Sequence, residues 1–197
     1  MESALIEACG RPDAIKMCND GGPEPNEACI RIASEFLATS EDPHEGRVLL
    51  GILRRSPVPF DGQVLCDYFD RVKKNRWSTA NGMYTSKAIV PCAWILRTLA
   101  DDNFGRDREM LCYAVAKHCP PDKARVVLRQ VFEDLPGHAC WGLGVVGNED
   151  DLKFLIEAST RFTTWRFTEI NRAIKKIAKR LGKAAPAEQT ARKRRPK

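Results

Sequence analysis

The sequence predicts an all-α protein made of stacked antiparallel helix pairs, and three observations carry that expectation. Apolar residues recur at helical spacing along nearly the whole chain, and no segment alternates convincingly as a strand would. Pro and Gly interrupt the pattern at short intervals, so the helices are short and closely connected. A unit of about 28 residues occurs twice, as "MLCYAVAKHCPPDKARVVLRQ" from Met110 and "HACWGLGVVGNEDDLKFLIEA" from His138. Between the copies Cys112 corresponds to Cys140, Tyr113 to Trp141, Asp122 to Asp150 and Leu128 to Ile156.

In order along the chain, "NEACIRIASEFLAT" places Cys29, Ile32, Ala33 and Phe36 on one helical face. "HEGRVLLGILRRS" follows and stops at the Pro-marked break "SPVPFDG". "GQVLCDYFDRVKK" is helical through the stripe Val64, Leu65, Tyr68, Phe69 and Val72, and "NRWSTANGMYTS" is a polar segment with an Asn-Gly turn. "SKAIVPCAWILRTLA" resumes helix, with Pro91 either kinking it or marking its first turn. "RDREMLCYAVAKHC" ends at Pro120-Pro121, where Pro opens the next helix, faced by Ala124, Val127, Leu128 and Val131. Leu135-Pro136-Gly137 breaks that helix. A short helix from about 138 then reaches Gly147-Asn148, and Asn148 caps the next helix, with Asp151 completing a capping box. Thr164 to Leu181 forms the last helix.

The pattern "AxxxLGxxGxxxxLxxLxxA", carried by Ala139, Leu143, Gly144, Gly147, Leu152, Leu155 and Ala158, resembles the HEAT family, especially its short bacterial-type repeats. The resemblance is best over 106–181 and faint before that. It implies a HEAT-like helical-repeat solenoid over 1–183, in which each helix pair buries its apolar face against the next. Residues 184–197 are too polar and cationic to pack and are expected to form a disordered basic tail. In the repeat register Cys140 and Trp141, like Cys112 and Tyr113, should face the core.

Composition bounds the setting. The 197 residues suit one domain or one domain with a tail, and 43% hydrophobic content is enough for a core. The longest uncharged apolar run, Ala88 to Leu96, is far too short to span a membrane, and the N-terminus shows no secretory signal. A cytoplasmic location is therefore expected, or a nuclear one in a eukaryote. The eight cysteines occur singly, without a Cys-x-x-Cys. Cys9, Cys29, Cys66, Cys92, Cys112 and Cys140 fall in predicted helices, as reduced core thiols do.

Sites for chemistry are weak. "HCPP" at 118–121 and "GHAC" at 137–140 offer two His and two Cys, suitable in kind for zinc. The repeat register sets Cys119 and Cys140 roughly 10 Å apart along the helix axis, too far for one tetrahedral site, so no metal is expected. His44-Glu45 is similar to the paired sites of di-iron deoxyhypusine hydroxylases, which are also HEAT-like. That chemistry needs several such pairs, and the chain has three His and one His-Glu. No phosphate loop, Ser-His-Asp signature or nucleophile elbow is present. Asp101, Asp102, Asp107, Asp150 and Asp151 stand at predicted helix starts, where carboxylates favour the dipole. The expectation is a chain with no catalytic residue and no cofactor. The HEAT-like alkylpurine DNA glycosylases, which use a carboxylate and aromatics, are an enzymatic alternative. Trp77, Trp94, Trp141 and Trp165 could supply aromatics, but that family's motif matches no position here.

Charge is the informative feature. Residues 1–160 carry 19 Lys/Arg against 24 Asp/Glu, whereas 161–197 carry 13 against 2. On the last helix Ile170, Ile174, Ile177, Ala178 and Leu181 form one face. Arg172, Lys175, Lys176, Lys179, Arg180 and Lys183 form the other, joined by Trp165 and Arg166 at its start. Arg192, Lys193, Arg194 and Arg195 continue the charge, and with Lys179-Arg180 their spacing resembles a bipartite nuclear import signal. "RVKKNRW" at 71–77 is a second, smaller basic cluster. The expected function is a non-enzymatic binding or adaptor protein whose cationic C-terminus meets an acidic partner. That partner is a protein or, alternatively, DNA or RNA. No membrane partner is expected.

Overall fold

A computed structural model of the protein describes residues 2–9, 24–161 and 165–183. They are mostly helical and fall into two compact units, residues 1–118 and 119–197. The boundary divides the first copy of the repeated sequence, whose opening helix belongs to the first unit and whose second helix belongs to the second.

The first unit contains α1 (Glu2–Cys9), α2 (Glu27–Thr39), α3 (Pro43–Arg54), α4 (Gln63–Arg71), α5 (Arg76–Thr85), α6 (Cys92–Ala100) and α7 (Leu111–His118). Helix α2 begins where the Asn26 side chain accepts the Cys29 N–H at 2.9 Å, and α3 begins at Pro43 behind an Asp42 cap. The buried face of α2 is Cys29, Ile30, Ala33 and Leu37, so Ile32 and Phe36 are only half-buried, rotated from the expected stripe. Helix α4 buries Leu65, Tyr68 and Phe69, with Val72 at its C-cap, as the periodicity predicts, whereas Val64 of the same stripe is only half-buried.

Two segments differ from expectation. Arg76 to Thr85 is a continuous helix through Asn81-Gly82, not a turn. Gly82 is buried, and the space its missing Cβ would fill lies 3.6 Å from Arg54 of α3 and 3.9 Å from Leu50. Packing of α5 on α3 therefore overrides the local turn preference. Residues 86–91 are extended rather than helical. Two-residue strands β1 (Phe60–Asp61) and β2 (Ala88–Ile89) pair in parallel, Phe60 opposite Ala88 and Asp61 opposite Ile89. Pro91 is the N-cap of α6, outside the helix.

Tyr68 organises the centre of this unit. Asn75 Nδ2 donates to the Tyr68 hydroxyl and to the Pro43 carbonyl, each at 2.7 Å. Gly46 gives the ring its room: a Cβ there would lie 1.7 Å from the Tyr68 hydroxyl oxygen. Phe69 packs edge-on to Trp94 at 5.3 Å between centroids, and Trp94 Nε1 donates to Asp70 at 3.0 Å.

The second unit contains α8 (Pro121–Gln130), α9 (Pro136–Val146), α10 (Glu149–Ser159) and α11 (Trp165–Arg180). Proline opens α8 as the sequence indicates, and Asn148 with Asp151 forms the expected capping box of α10. Helix α9 starts at Pro136, earlier than the expected 138, because a proline that ends one helix also fits the first turn of the next. Asp151 does more than cap. It is fully buried, accepts Arg129 Nε at 2.6 Å and the Asn148 N–H at 2.8 Å, and lies 3.5 Å from Arg125 Nε. It thereby ties α10 to α8. Helices α9 and α11 pack where α9 is thinnest: a Cβ on Gly144 would sit 3.3 Å from the Ala173 Cα, and one on Gly147 would sit 2.8 Å from Ile177 Cδ1. The "LGxxG" pattern is thus a slot for α11. Among the described residues no buried side-chain polar atom lacks a hydrogen-bond partner.

The Asp151 arrangement makes a quantitative prediction. Removing a buried carboxylate leaves two guanidinium groups facing each other without compensation, although both arginines are partly exposed. Asp151→Ala is expected to cost about 3 kcal/mol, cap included. Urea titration checks this, and a loss under about 1 kcal/mol would mean that Asp151 does not hold α10 to α8.

Candidate functional site

Helix α11 shows the two expected faces. Ile170, Ala173, Ile174, Ile177 and Ala178 are buried, whereas Arg172, Lys175, Lys176, Lys179 and Arg180 are exposed. Leu181 is 37% exposed and so stands at the rim rather than in the buried face. Trp165 and Arg166 begin the helix, but their side chains lie outside what is described, and Arg192, Lys193, Arg194, Arg195 and the rest of the tail lie outside the described residues.

The cations on the polar face are not equivalent. The Arg180 guanidinium turns back onto the end of α9, donating to the carbonyls of Gly144 at 3.0 Å, Val145 at 2.6 Å and Gly147. Those carbonyls carry the negative end of the α9 dipole, which favours a cation there. Lys183 is also engaged. Gly182 adopts φ +67°, the Lys183 N–H donates to the Ala178 carbonyl at 2.9 Å, and the Gly182 N–H donates to Lys179 at 3.2 Å. This Schellman ending brings Lys183 Nζ to 2.7 Å from Glu149, whose carboxyl it holds below its ordinary range. Arg172 pairs with Glu169 at 2.6 Å. Lys176 stands over the Trp141 ring, 5.4 Å from its centroid. Trp141 is consequently half-buried under a lysine rather than enclosed in the core, and its counterpart Tyr113 is half-buried too. Cys112 and Cys140 are fully buried as the register predicts.

Lys175, Lys176 and Lys179, with Arg172 beside them, make up the exposed cationic row of α11. Spaced at i, i+1 and i+4, these residues occupy one helical strip. Such a strip can neutralise phosphates, sulfates or carboxylates.

The smaller cluster at 71–77 divides in the same way. Arg71 donates to the Leu37 carbonyl at 2.8 Å and to Ser40 at 3.3 Å, closing the end of α2. Arg76 donates to the Phe69 carbonyl at 3.1 Å and lies over Phe104 at 4.6 Å. Lys73, Lys74 and Trp77 remain exposed.

The remaining candidates lie apart from one another. His44 is exposed, and Glu45 accepts the Ser40 hydroxyl at 2.7 Å. His118 meets the Met83 carbonyl at 2.8 Å, and burial pushes its pKa below the ordinary histidine value. Among the described residues no group of three or more His, Cys, Asp or Glu side chains could hold a metal ion, and no helix is long and apolar enough to cross a membrane. Asp101 caps the 3-10 turn Asp102–Arg108, and Asp102 pairs with Arg108 at 3.0 Å.

The cysteines correct the expectation of uniformly reduced thiols. Cys29, Cys92 and Cys119 are disulfide-bonded, whereas Cys66, Cys112 and Cys140 keep buried thiols. A bridged cysteine and a buried thiol are equally small and apolar, so sequence pattern did not separate them. Burial, with Asp67 and Asp70 nearby, pushes the Cys66 thiol up to about 12, and burial pushes Cys140 to about 12 as well. Thiols this far from ionising are poor partners for disulfide exchange.

Two outcomes follow from these assignments. Alkylation of unreduced, urea-unfolded protein is expected to label Cys66, Cys112 and Cys140 but not Cys29, Cys92 or Cys119. Peptide mass spectrometry reads this, and label on the latter three would show them to be thiols. Arg180→Ala is expected to lower stability by about 1 kcal/mol by leaving the α9 carbonyls to water. Lys175→Glu with Lys179→Glu should leave the melting midpoint within about 1 °C, since neither lysine's head group is buried. Equal losses in the two variants would show that Arg180 has no special role at α9. Comparison with protein-family models, with characterised proteins and with solved structures gives no match for this chain.

Proposed function

We propose that the protein is a non-enzymatic, HEAT-like helical scaffold that binds an acidic macromolecule through α11 and the cationic segment beyond it. The observation that carries this reading is the exposed strip Lys175, Lys176 and Lys179 along the polar face of α11. A helix that only capped a stack would need a polar outer face, not one of a single sign. The glycine slot on α9 supports the HEAT-like reading, because repeats of that kind need close approach between successive helices. Buried groups that could do chemistry have structural employment instead: Asp151 in its ion pairs, His118 on a carbonyl, and thiols held protonated. Disulfides are rare in cytosolic and nuclear proteins, so the bridged cysteines favour an oxidising compartment over an import receptor as the setting of the basic tail.

The test uses the full chain and three polyanions: a random duplex DNA, polyglutamate and dextran sulfate, titrated from low to physiological salt. Binding to at least one should weaken with salt. On duplex DNA, K175E/K176E/K179E should reduce the log–log salt slope by about 2 to 3, close to 0.9 for each lost phosphate contact. No binding to any of the three at low salt overturns the reading.

A further inference from the structure

We infer that the first unit carries a stacking site for single-stranded nucleic acid, formed by Trp77 with Lys73, Lys74 and Asn81. This narrows the acidic partner proposed above to one kind of polymer, but it stands on different residues, in the other unit.

The observations begin with a tryptophan where the fold does not need one. Trp94 is buried with its indole N–H bonded to Asp70, and Trp141 is half-buried beneath Lys176. Trp77 is 48% exposed and has no aromatic, cationic or hydrogen-bonding partner among the described residues. It lies in the first turn of α5, directly after the 3-10 turn Lys73–Asn75. Lys73 and Lys74 precede it by four and three residues, are both exposed, and form no ion pair among the described residues. Asn81, one turn further along α5, keeps its side-chain amide without a partner. Two exposed cations thus precede the ring in the chain, in the turn that leads into α5, and an amide donor and acceptor follows it one helical turn on.

The surroundings select the ligand. A protein hot spot around Trp would have apolar neighbours that exclude water, whereas the neighbours here are lysine and asparagine. Duplex DNA offers phosphates to the lysines but keeps its base faces stacked inside. An anionic polysaccharide offers charge without a planar π face. A single strand presents a negative charge and a flat ring at every residue, so a base can stack on Trp77 while neighbouring phosphates meet Lys73 and Lys74. The Asn81 amide can then donate to and accept from the edge of the stacked base. Arg71 and Arg76 take no part, because their guanidinium groups are spent on backbone carbonyls.

The experiment measures anisotropy of labelled oligo(dT) and oligo(U) with the full chain, against dextran sulfate as a polyanion without bases. Trp77→Ala is expected to weaken oligonucleotide binding by about 5- to 150-fold, the range for loss of one stacked base, and to leave dextran sulfate binding unchanged. Trp77→Phe should recover part of the loss, and K73E/K74E should lower the salt slope by about 1.4. Circular dichroism confirms that each variant keeps its helices. If Trp77→Ala leaves oligonucleotide affinity unaltered, or weakens dextran sulfate equally, the inference is overturned whatever α11 does. If Trp77→Ala weakens oligonucleotide binding while K175E/K176E/K179E does not change binding to any polyanion, the site stands and the α11 reading fails.

Discussion

The closing of helix C-termini by cations from elsewhere in the chain is the interaction on which both units depend. Short helices multiply the problem, because every helix ends with four carbonyls that have no partner within it. Here Arg71 closes α2, Arg76 reaches the last turns of α4, and Arg108 donates to Leu99 near the end of α6. Lys117 donates to the Tyr84 and Ser86 carbonyls while His118 meets Met83, so α5 is closed twice. In the second unit Arg180 does the same for α9. Each bond satisfies an acceptor and fixes one element against another, and those from Arg and Lys also place positive charge at the negative end of a dipole. Arg108, only 3% exposed, shows how far inward such a charge goes when its donors are all used.

Function is read against that structural demand for cations. A basic residue near a helix end is a weak sign of a partner, since the fold already has a use for it. The informative lysines are the exposed ones that close no helix end: Lys175, Lys176 and Lys179 on α11, and Lys73 and Lys74 before α5. They are lysines rather than arginines, and the difference is physical. The planar guanidinium fork satisfies several carbonyls at once in a fixed geometry, whereas an ammonium is a compact, strongly hydrated charge on a flexible stem. Lys117 closes a helix end, but most of the helix-closing groups here are arginines.

The sulfur chemistry divides along similar lines. Bridged cysteines constrain the chain, and the thiols of Cys66 and Cys140 are so deeply buried that they stay protonated. Oxidised and reduced sulfur therefore coexist without a ready route for exchange.

The sequence by itself determined the helical class, most helix starts and the polarity of α11. Those are local properties: proline at the first turn of α8, the Asn148–Asp151 capping box, and apolar spacing on α4. Only tertiary structure decided whether Arg180 faces a partner or the end of α9, and whether Asp151 merely caps or also anchors two arginines. It also decided that Asn81-Gly82 continues a helix, and which cysteines are bridged. Each of these depends on a residue distant in sequence, such as Leu50 and Arg54 against Gly82, or Gly144 thirty-six residues before Arg180. Spacing along the chain specifies which way a side chain points on its own helix. It carries no information about what another helix brings to meet it.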